Sequence, residues 1–257
     1  MNDQVTVCYE NDMLASSAQQ FALQHQLEVT NIEQAQTTFI LHFRDDFIEL
    51  IDQSSNTSIH VDFLSGALAH RRKYGGGKGQ AIAKAIGVKQ YKLPLTILDA
   101  TAGLAKDAFV LACLGCSVTM LEQNPVIAKL VLNALQNADD KKEFQDIKKQ
   151  GFELIHANAN TYLKSLTIRP DIIYIDPMYP ERKKSAAVKK NMQILQKLIG
   201  HNESKALEET ALLNLALEKA LKRVVVKRPK GAPNLTNERP TMCIESKITR
   251  YDVYVLT

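Results

Sequence analysis

Cysteine is scarce in this chain of 257 residues: the four present, Cys8, Cys113, Cys116 and Cys243, are too few and too scattered for a disulfide framework. Cys113 and Cys116 form a C-x-x-C, but it brackets Leu114 and Gly115, where a helix should end before the next strand. No second Cys or His pair at zinc-finger spacing accompanies it, so buried structural thiols and no metal site are expected. Also missing is any apolar run long enough to span a membrane, and the first residues lack the basic-then-apolar plan of a signal peptide. A cytoplasmic protein with no membrane partner is the expectation. No internal repeat or low-complexity tract interrupts the chain. The formal net charge of +4 is a mild excess that permits a nucleic-acid partner without demanding one. Hydrophobic residues make up 45% and charged residues 23%, enough for a sizeable core.

The most informative stretch runs from Leu95 to Asp107, L-T-I-L-D-A-T-A-G-L-A-K-D. An apolar run closed by Asp99 is followed by the small residues Ala100, Thr101, Ala102 and Gly103 and by a helical pattern from Leu104. That predicts a buried strand, a tight turn and a helix start. A carboxylate at a strand tip beside small side chains lets a ligand approach backbone N–H groups at a helix N-terminus, the layout of a nucleotide crevice in an open α/β sheet. Glycine is too sparse here for an NAD site, which needs G-x-G-x-x-G. Nor is Gly77-Lys78 a Walker loop, since Gly79 follows it and Arg72 stands where the leading glycine belongs.

Downstream strands repeat the theme. Val118 to Leu121 predicts a second strand ending at Glu122, a carboxylate placed to accept two ribose hydroxyls. Pro125 opens a helix through Leu135, and Asp139 to Gln150 reads as a charged, solvated surface stretch. Phe152 to Ala157 predicts a third strand, with Asn158 at its end available to an adenine edge. Asp171 to Asp176, D-I-I-Y-I-D, predicts a fourth and runs directly into Pro177-Met178-Tyr179-Pro180. Amino-group methyltransferases carry Asp or Asn, Pro, a variable residue and an aromatic at this place, which D-P-M-Y matches. An exocyclic amine is a poor nucleophile because its lone pair is delocalised; Asp176 is suited to accept a hydrogen bond from it and Tyr179 to stack the unstacked base.

Basic residues flank these loops. Arg71, Arg72, Lys73 and Lys78 precede the first motif, Arg182, Lys183 and Lys184 follow the fourth strand, and Lys227 and Arg228 close a fifth strand from Arg223. All nine are expected to hold RNA phosphates around the pocket. The alternation of strands and helices from Leu95 to Lys227, then a hairpin of Met242–Lys247 with Asp252–Leu256, predicts an α/β fold with a mostly parallel, doubly wound sheet. Residues 1–63, with strands at Val5–Tyr9, Phe39–Phe43, Phe47–Ile51 and Ile59–Phe63 and a helix at Ser16–Leu27, read as a small N-terminal α+β module ahead of a domain spanning 64–257.

The first turn resembles that of the Rossmann-like S-adenosylmethionine methyltransferases, with Asp99, Gly103 and Asp107 in place and Thr101 and Ala105 where glycine is more usual. Taken together, D-F-L-S-G-A-L-A-H-R-R-K-Y-G-G-G-K-G-Q, D-A-T-A-G-L-A-K-D-A-F, L-E-Q-N-P, Y-I-D-P-M-Y-P and V-V-V-K-R-P resemble the bacterial small-subunit ribosomal RNA methyltransferase J family from about Val61 onward. The resemblance implies S-adenosylmethionine as cofactor and methylation of the exocyclic N2 of a guanosine in small-subunit ribosomal RNA, free or in the small ribosomal subunit. It also implies a cofactor site lined by Lys106 and Asp107, Glu122 and Gln123, Asn158 and Ala159, and Asp176. The residues by themselves support an amine acceptor without choosing the base. An amino-methyltransferase acting on DNA or on a protein glutamine, and a non-catalytic RNA-binding protein of the same fold, stay open on that ground.

Overall fold

The structure, a computed structural model, describes residues 4–65, 77–178, 190–200 and 205–256. Its strands are β1 (Val5–Tyr9), β2 (Glu28–Val29), β3 (Phe39–Phe43), β4 (Ile48–Asp52), β5 (Thr57–Ile59), β6 (Thr96–Asp99), β7 (Ser117–Glu122), β8 (Phe152–His156), β9 (Ile172–Ile175), β10 (Arg223–Pro229), β11 (Met242–Glu245) and β12 (Thr249–Val255). The helices are α1 (Asp12–His25), α2 (Ala81–Ile86), α3 (Lys106–Cys113), α4 (Pro125–Ala138), α5 (Lys142–Gln150), α6 (Ala159–Ser165), α7 (Lys190–Ile199) and α8 (Lys205–Lys219). Among the described residues no helix is long and apolar enough to cross a membrane. These residues form two units, one of residues 4–62, 124–137 and 190–200 and the other of the remainder. Two later segments thus group with the N-terminal stretch, which the sequence division after residue 63 had kept apart from them.

In the first unit a five-stranded sheet runs in the order β2-β1-β3-β4-β5, with β1 parallel to β2 and β3 and the β3–β4 and β4–β5 pairs antiparallel. Helix α1 starts earlier than the expected Ser16 because Asn11 caps it, its side chain accepting from Met13 N–H at 3.0 Å. Ala18, Phe21 and Ala22 form its buried stripe. Asn124 likewise caps α4, accepting from Val126 N–H at 3.0 Å and Ile127 N–H at 3.2 Å, while Pro125 occupies the first helical position. The β4–β5 turn is wound about Asp52, which accepts from Ser54 N–H, Ser54 Oγ and Ser55 Oγ. That closure ends β4 at Asp52 and starts β5 at Thr57, two residues before the expected Ile59.

Lys197 of α7 completes the Asp52 site with an ion pair of 2.7 Å to a carboxylate whose side chain is 1% exposed. Burial alone would raise the Asp52 carboxyl; the hydrogen bonds from Lys197, Ser54 and Ser55 outweigh it and hold it well below the usual carboxylate range. A carboxyl held below its unfolded value of about 3.9 contributes stability that is present above that pH and lost as pH falls through and below it. Asp52→Asn is therefore expected to destabilise this unit by about 1–3 kcal/mol at neutral pH and by less at about pH 3. Amide exchange in β3, β4 and β5 at the two pH values measures the difference.

The second unit is built on a seven-stranded sheet in the order β11-β12-β10-β9-β6-β7-β8. Strands β6 to β10 are mutually parallel, and β12 inserts antiparallel between β10 and β11 to make the expected C-terminal hairpin. On one face Leu98, Leu121, Ile173, Ile175, Val224 and Val226 pack against Leu163 of α6 and Leu212, Leu213 and Ala216 of α8. On the other, Phe63, Phe109 of α3, Phe144 of α5 and Phe152 of β8 form an aromatic cluster with ring centroids 5.1 to 6.1 Å apart. The stretch expected to be solvated from Asp139 is therefore helical from Lys142, because Phe144 and Ile147, one turn apart, bury on this face.

Topology now places the site. From β6 the chain moves outward to β7 and β8, then returns to lay β9 against the opposite edge of β6. The chain goes on from β6 to β7 and from β9 to β10, on opposite sides of this pair, so the carboxyl ends of β6 and β9 form a topological switch point, where open α/β sheets bind their ligands.

Candidate active site

Strand register decides which side chains meet at the crevice. Asp99 pairs with Met120 of β7 and with Tyr174 of β9, and Tyr174 pairs with Val225 of β10. Glu122, Asp176 and Lys227 each stand two residues beyond one of these partners, so the twofold alternation of a strand sends all of them to the face that α3 covers. Helix α3 brings Asp107 to the same place in its first turn, where a carboxylate is favoured by the helix dipole.

The turn after β6 is tied down from several sides. Thr101 N–H donates to Asp99 Oδ1 at 3.1 Å, Ala102 N–H to the Leu121 carbonyl at 3.0 Å, and Gly103 N–H to Glu122 Oε2 at 3.0 Å. Asp176 N–H donates to Thr101 Oγ1 at 2.6 Å, tying the β6 turn to the end of β9. Gly103 has φ 53° and Ala105 has φ 57°, so the alanine at the usual glycine position adopts the left-handed conformation that glycine takes without cost.

Asp107, Tyr174, Asp176 and Lys227 form one network. The Lys227 ammonium lies 2.6 Å from Asp107 Oδ2 and 2.8 Å from Asp176 Oδ2, and the buried Tyr174 hydroxyl donates to Asp107 Oδ2 at 2.8 Å. Burial pushes the Asp99 carboxyl up to about 8, against the hydrogen bond from Thr101 and with Asp107 and Asp176 adding to the rise. Burial raises Asp176 too; Lys227 opposes the rise and Asp107 adds to it. For Lys227 burial works against the charged form, yet Asp176 and Asp107 outweigh it and hold the amine above lysine's ordinary range.

On the far side of β7, Gln123 follows Glu122 and accepts from Asn158 Nδ2 at 2.7 Å through its side-chain oxygen. Its backbone carbonyl lies 3.1 Å from His156 Nε2. Asn158 Oδ1 also caps α6, accepting from Thr161 N–H at 3.1 Å, and Ala159 is the first residue of that helix.

The chain matches, over residues 20–256, the family described as "Putative SAM-dependent methyltransferase". It is 44% identical to ribosomal RNA small subunit methyltransferase J of Coxiella burnetii, an alignment covering 100% of this chain and 98% of that protein. It is 47% identical to the protein of the same name from Aeromonas hydrophila, covering 94% of this chain and 95% of the relative. This chain belongs to the ribosomal RNA small subunit methyltransferase J family. The fold agrees: a crystal structure of a SAM-dependent methyltransferase from Neisseria gonorrhoeae is 33% identical and superposes with a TM-score of 0.74 over 97% of this chain and 96% of that one.

As a member of this family the protein uses S-adenosylmethionine as its cofactor. The side chains present suit that group. Among the described residues Asp107 and Asp176 both meet the Lys227 ammonium, two carboxylates on one cation, which complements a ligand whose methionine end, with ammonium, carboxylate and sulfonium, is net positive. Glu122, 8% exposed at the tip of β7, is a carboxylate of the kind that takes a ribose diol.

Not every sequence expectation falls on described ground, and two are corrected. Tyr179, Arg71, Arg72, Lys73, Arg182, Lys183 and Lys184 lie outside the described residues, as does the side chain of Lys78, whose backbone belongs to the 3-10 turn Gly77–Gly79. Lys227 and Arg228, expected to hold phosphates, turn inward instead. Lys227 is engaged by Asp107 and Asp176, and Arg228 is 4% exposed with Nε and Nη2 donating to the Pro233 carbonyl at 3.2 and 3.1 Å. A K-R pair at a strand end reads as surface charge, but β10 lies inside the sheet, between β9 and β12, so its side chains meet neighbours on both faces. Thr101 and Tyr174 were not singled out from sequence; Tyr174 carried a signal, a phenol in the otherwise aliphatic run I-I-Y-I.

Proposed function

We propose that this protein methylates the exocyclic N2 amine of a guanosine in small-subunit ribosomal RNA, in the cytoplasm, with the RNA or the small ribosomal subunit as its partner. The observation that carries the reading is Asp176, held at the switch point by Thr101 and Lys227 and followed at once by Pro177, Met178 and Tyr179. S-adenosylmethionine supplies an electrophilic methyl group on a sulfonium. Asp176 accepts the N–H of the amine, fixing its orientation and drawing off the positive charge that develops on it. Tyr179 stacks on the target base, which is unstacked so that its amine reaches the site. Arg71, Arg72, Lys73, Lys78, Arg182, Lys183 and Lys184 hold phosphates and position the RNA. Lys106, Gln123, Asn158 and Ala159 complete the cofactor site with Asp99, Gly103, Asp107 and Glu122. The names of the relatives support the ribosomal substrate, and the sequence resemblance supports guanine.

Labelled-methyl transfer to small subunits from cells lacking this protein, followed by nucleoside mapping, tests the proposal. The expected product is N2-methylguanosine at one site in small-subunit RNA. Label appearing only in DNA or in protein glutamine would assign the D-P-M-Y chemistry to another amine. No calorimetric binding of S-adenosylmethionine would leave an RNA-binding role alone.

A further inference from the structure

Lys227 helps to hold Asp176 in the proposed chemistry, which gives its charge no further role. Its ammonium bridges Asp107 Oδ2 and Asp176 Oδ2, whereas Asp176 Oδ1 takes no hydrogen bond among the described residues. The side chain of Asp107 is 12% exposed, that of Lys227 26% and that of Asp176 38%, so Asp176 is the member of the trio most open to an incoming group. The charged and titratable groups that face Asp176 come from four elements: Asp99 on β6, Asp107 on α3, Tyr174 on β9, and Lys227 and Arg228 on β10. Among the described residues Lys227 makes the ion pair with Asp176, while Arg228 Nε and Nη2 donate to the Pro233 carbonyl.

We propose that Lys227 is a positioning residue for methyl transfer: it keeps the negative charge on Asp176 and holds Oδ2, leaving Oδ1 to accept the N–H of the substrate amine. The proposal rests on the reading of Asp176 as the amine's hydrogen-bond acceptor. A neutral Asp176 keeps one acceptor oxygen but loses its negative charge and turns the other oxygen into a donor, so it accepts more weakly from the amine and does not draw off the charge that develops there. Burial and the neighbouring Asp107 both favour the protonated acid, and an opposite charge in contact is the influence that reverses them. Asp99, which has no cation in contact among the described residues, is pushed up to about 8 by its burial.

The test is the pH profile of single-turnover methyl transfer at saturating cofactor in the full chain, with small subunits as substrate. Lys227→Gln keeps a hydrogen-bond donor and removes the charge. It is expected to move the acidic limb upward by about one pH unit, roughly a tenfold loss of rate at a fixed pH on the limb, with recovery on the alkaline plateau. Lys227→Arg should keep the wild-type limb. Asp107→Asn removes a negative neighbour and is expected to shift the limb the opposite way, which keeps the proposal testable if Lys227→Gln does not fold. An unshifted limb in folded Lys227→Gln, or a rate lowered by the same factor at every pH, overturns it, as does an unshifted limb in Asp107→Asn if that variant must stand alone. The underlying reading of Asp176 fails separately, if Asp176→Ala retains turnover.

Discussion

Asp176→Ala is expected to abolish methyl transfer, by about 10³-fold or more, in a protein that still folds. Removing a group that stabilises developing charge in a desolvated site costs about 10²–10³ in rate, and the loss of orientation of a weak nucleophile adds to it. The fold should survive because the tie from residue 176 to Thr101 is made by a main-chain N–H and Lys227 keeps Asp107 as its partner. Some cofactor affinity should be lost with the carboxylate, since the residue borders the methionine end in this reading. Asp176→Asn retains an acceptor oxygen without the charge and should fall between wild type and alanine. Single-turnover rates at saturating cofactor, compared with thermal melts, measure both properties. Turnover within tenfold of wild type in the alanine variant would remove Asp176 from the acceptor site.

The second large effect concerns binding. Glu122→Ala is expected to weaken S-adenosylmethionine by about 1–3 kcal/mol, on the scale of hydrogen bonds to a charged group. Two losses contribute. The carboxylate at the tip of β7 is proposed to accept the ribose hydroxyls, and in the structure it also accepts from Gly103 N–H, so its removal loosens the turn that approaches the cofactor. Glu122→Gln keeps an acceptor for Gly103 and separates the two: a defect nearly as large as that of alanine assigns the affinity to the charged contact, and a mild one assigns it to the turn. Calorimetry on the folded variants decides, and unchanged affinity in both would rule Glu122 out as a ligand.

The crevice was legible because its parts are local in sequence. Asp99, Glu122 and Asp176 each close an apolar run, and a side chain at the end of a buried parallel strand emerges at the sheet's carboxyl edge whatever else the chain does. Helix boundaries were less legible where a single polar side chain set them, as Asn11 does for α1. In Lys142–Gln150 charged residues outnumber apolar ones, and only Phe144 and Ile147 mark the buried face.

Sequence by itself determined the main sheet's parallel strands and their closing hairpin, the small-residue turn, the acids at the strand tips and the D-P-M-Y motif, since each depends on residues within one or two turns of one another. Only the tertiary structure decided what those charges do. Which face Lys227 occupies follows from a register across β6, β9 and β10, strands far apart in the chain, and that register sets its ammonium between Asp107 and Asp176 in place of an RNA phosphate. The same holds for the segments 124–137 and 190–200, whose grouping with the N-terminal strands depends on long-range partners such as Asp52 for Lys197. A charge read along the chain has no fixed partner; packing supplies one, and burial then makes that partner decide whether the charge is kept.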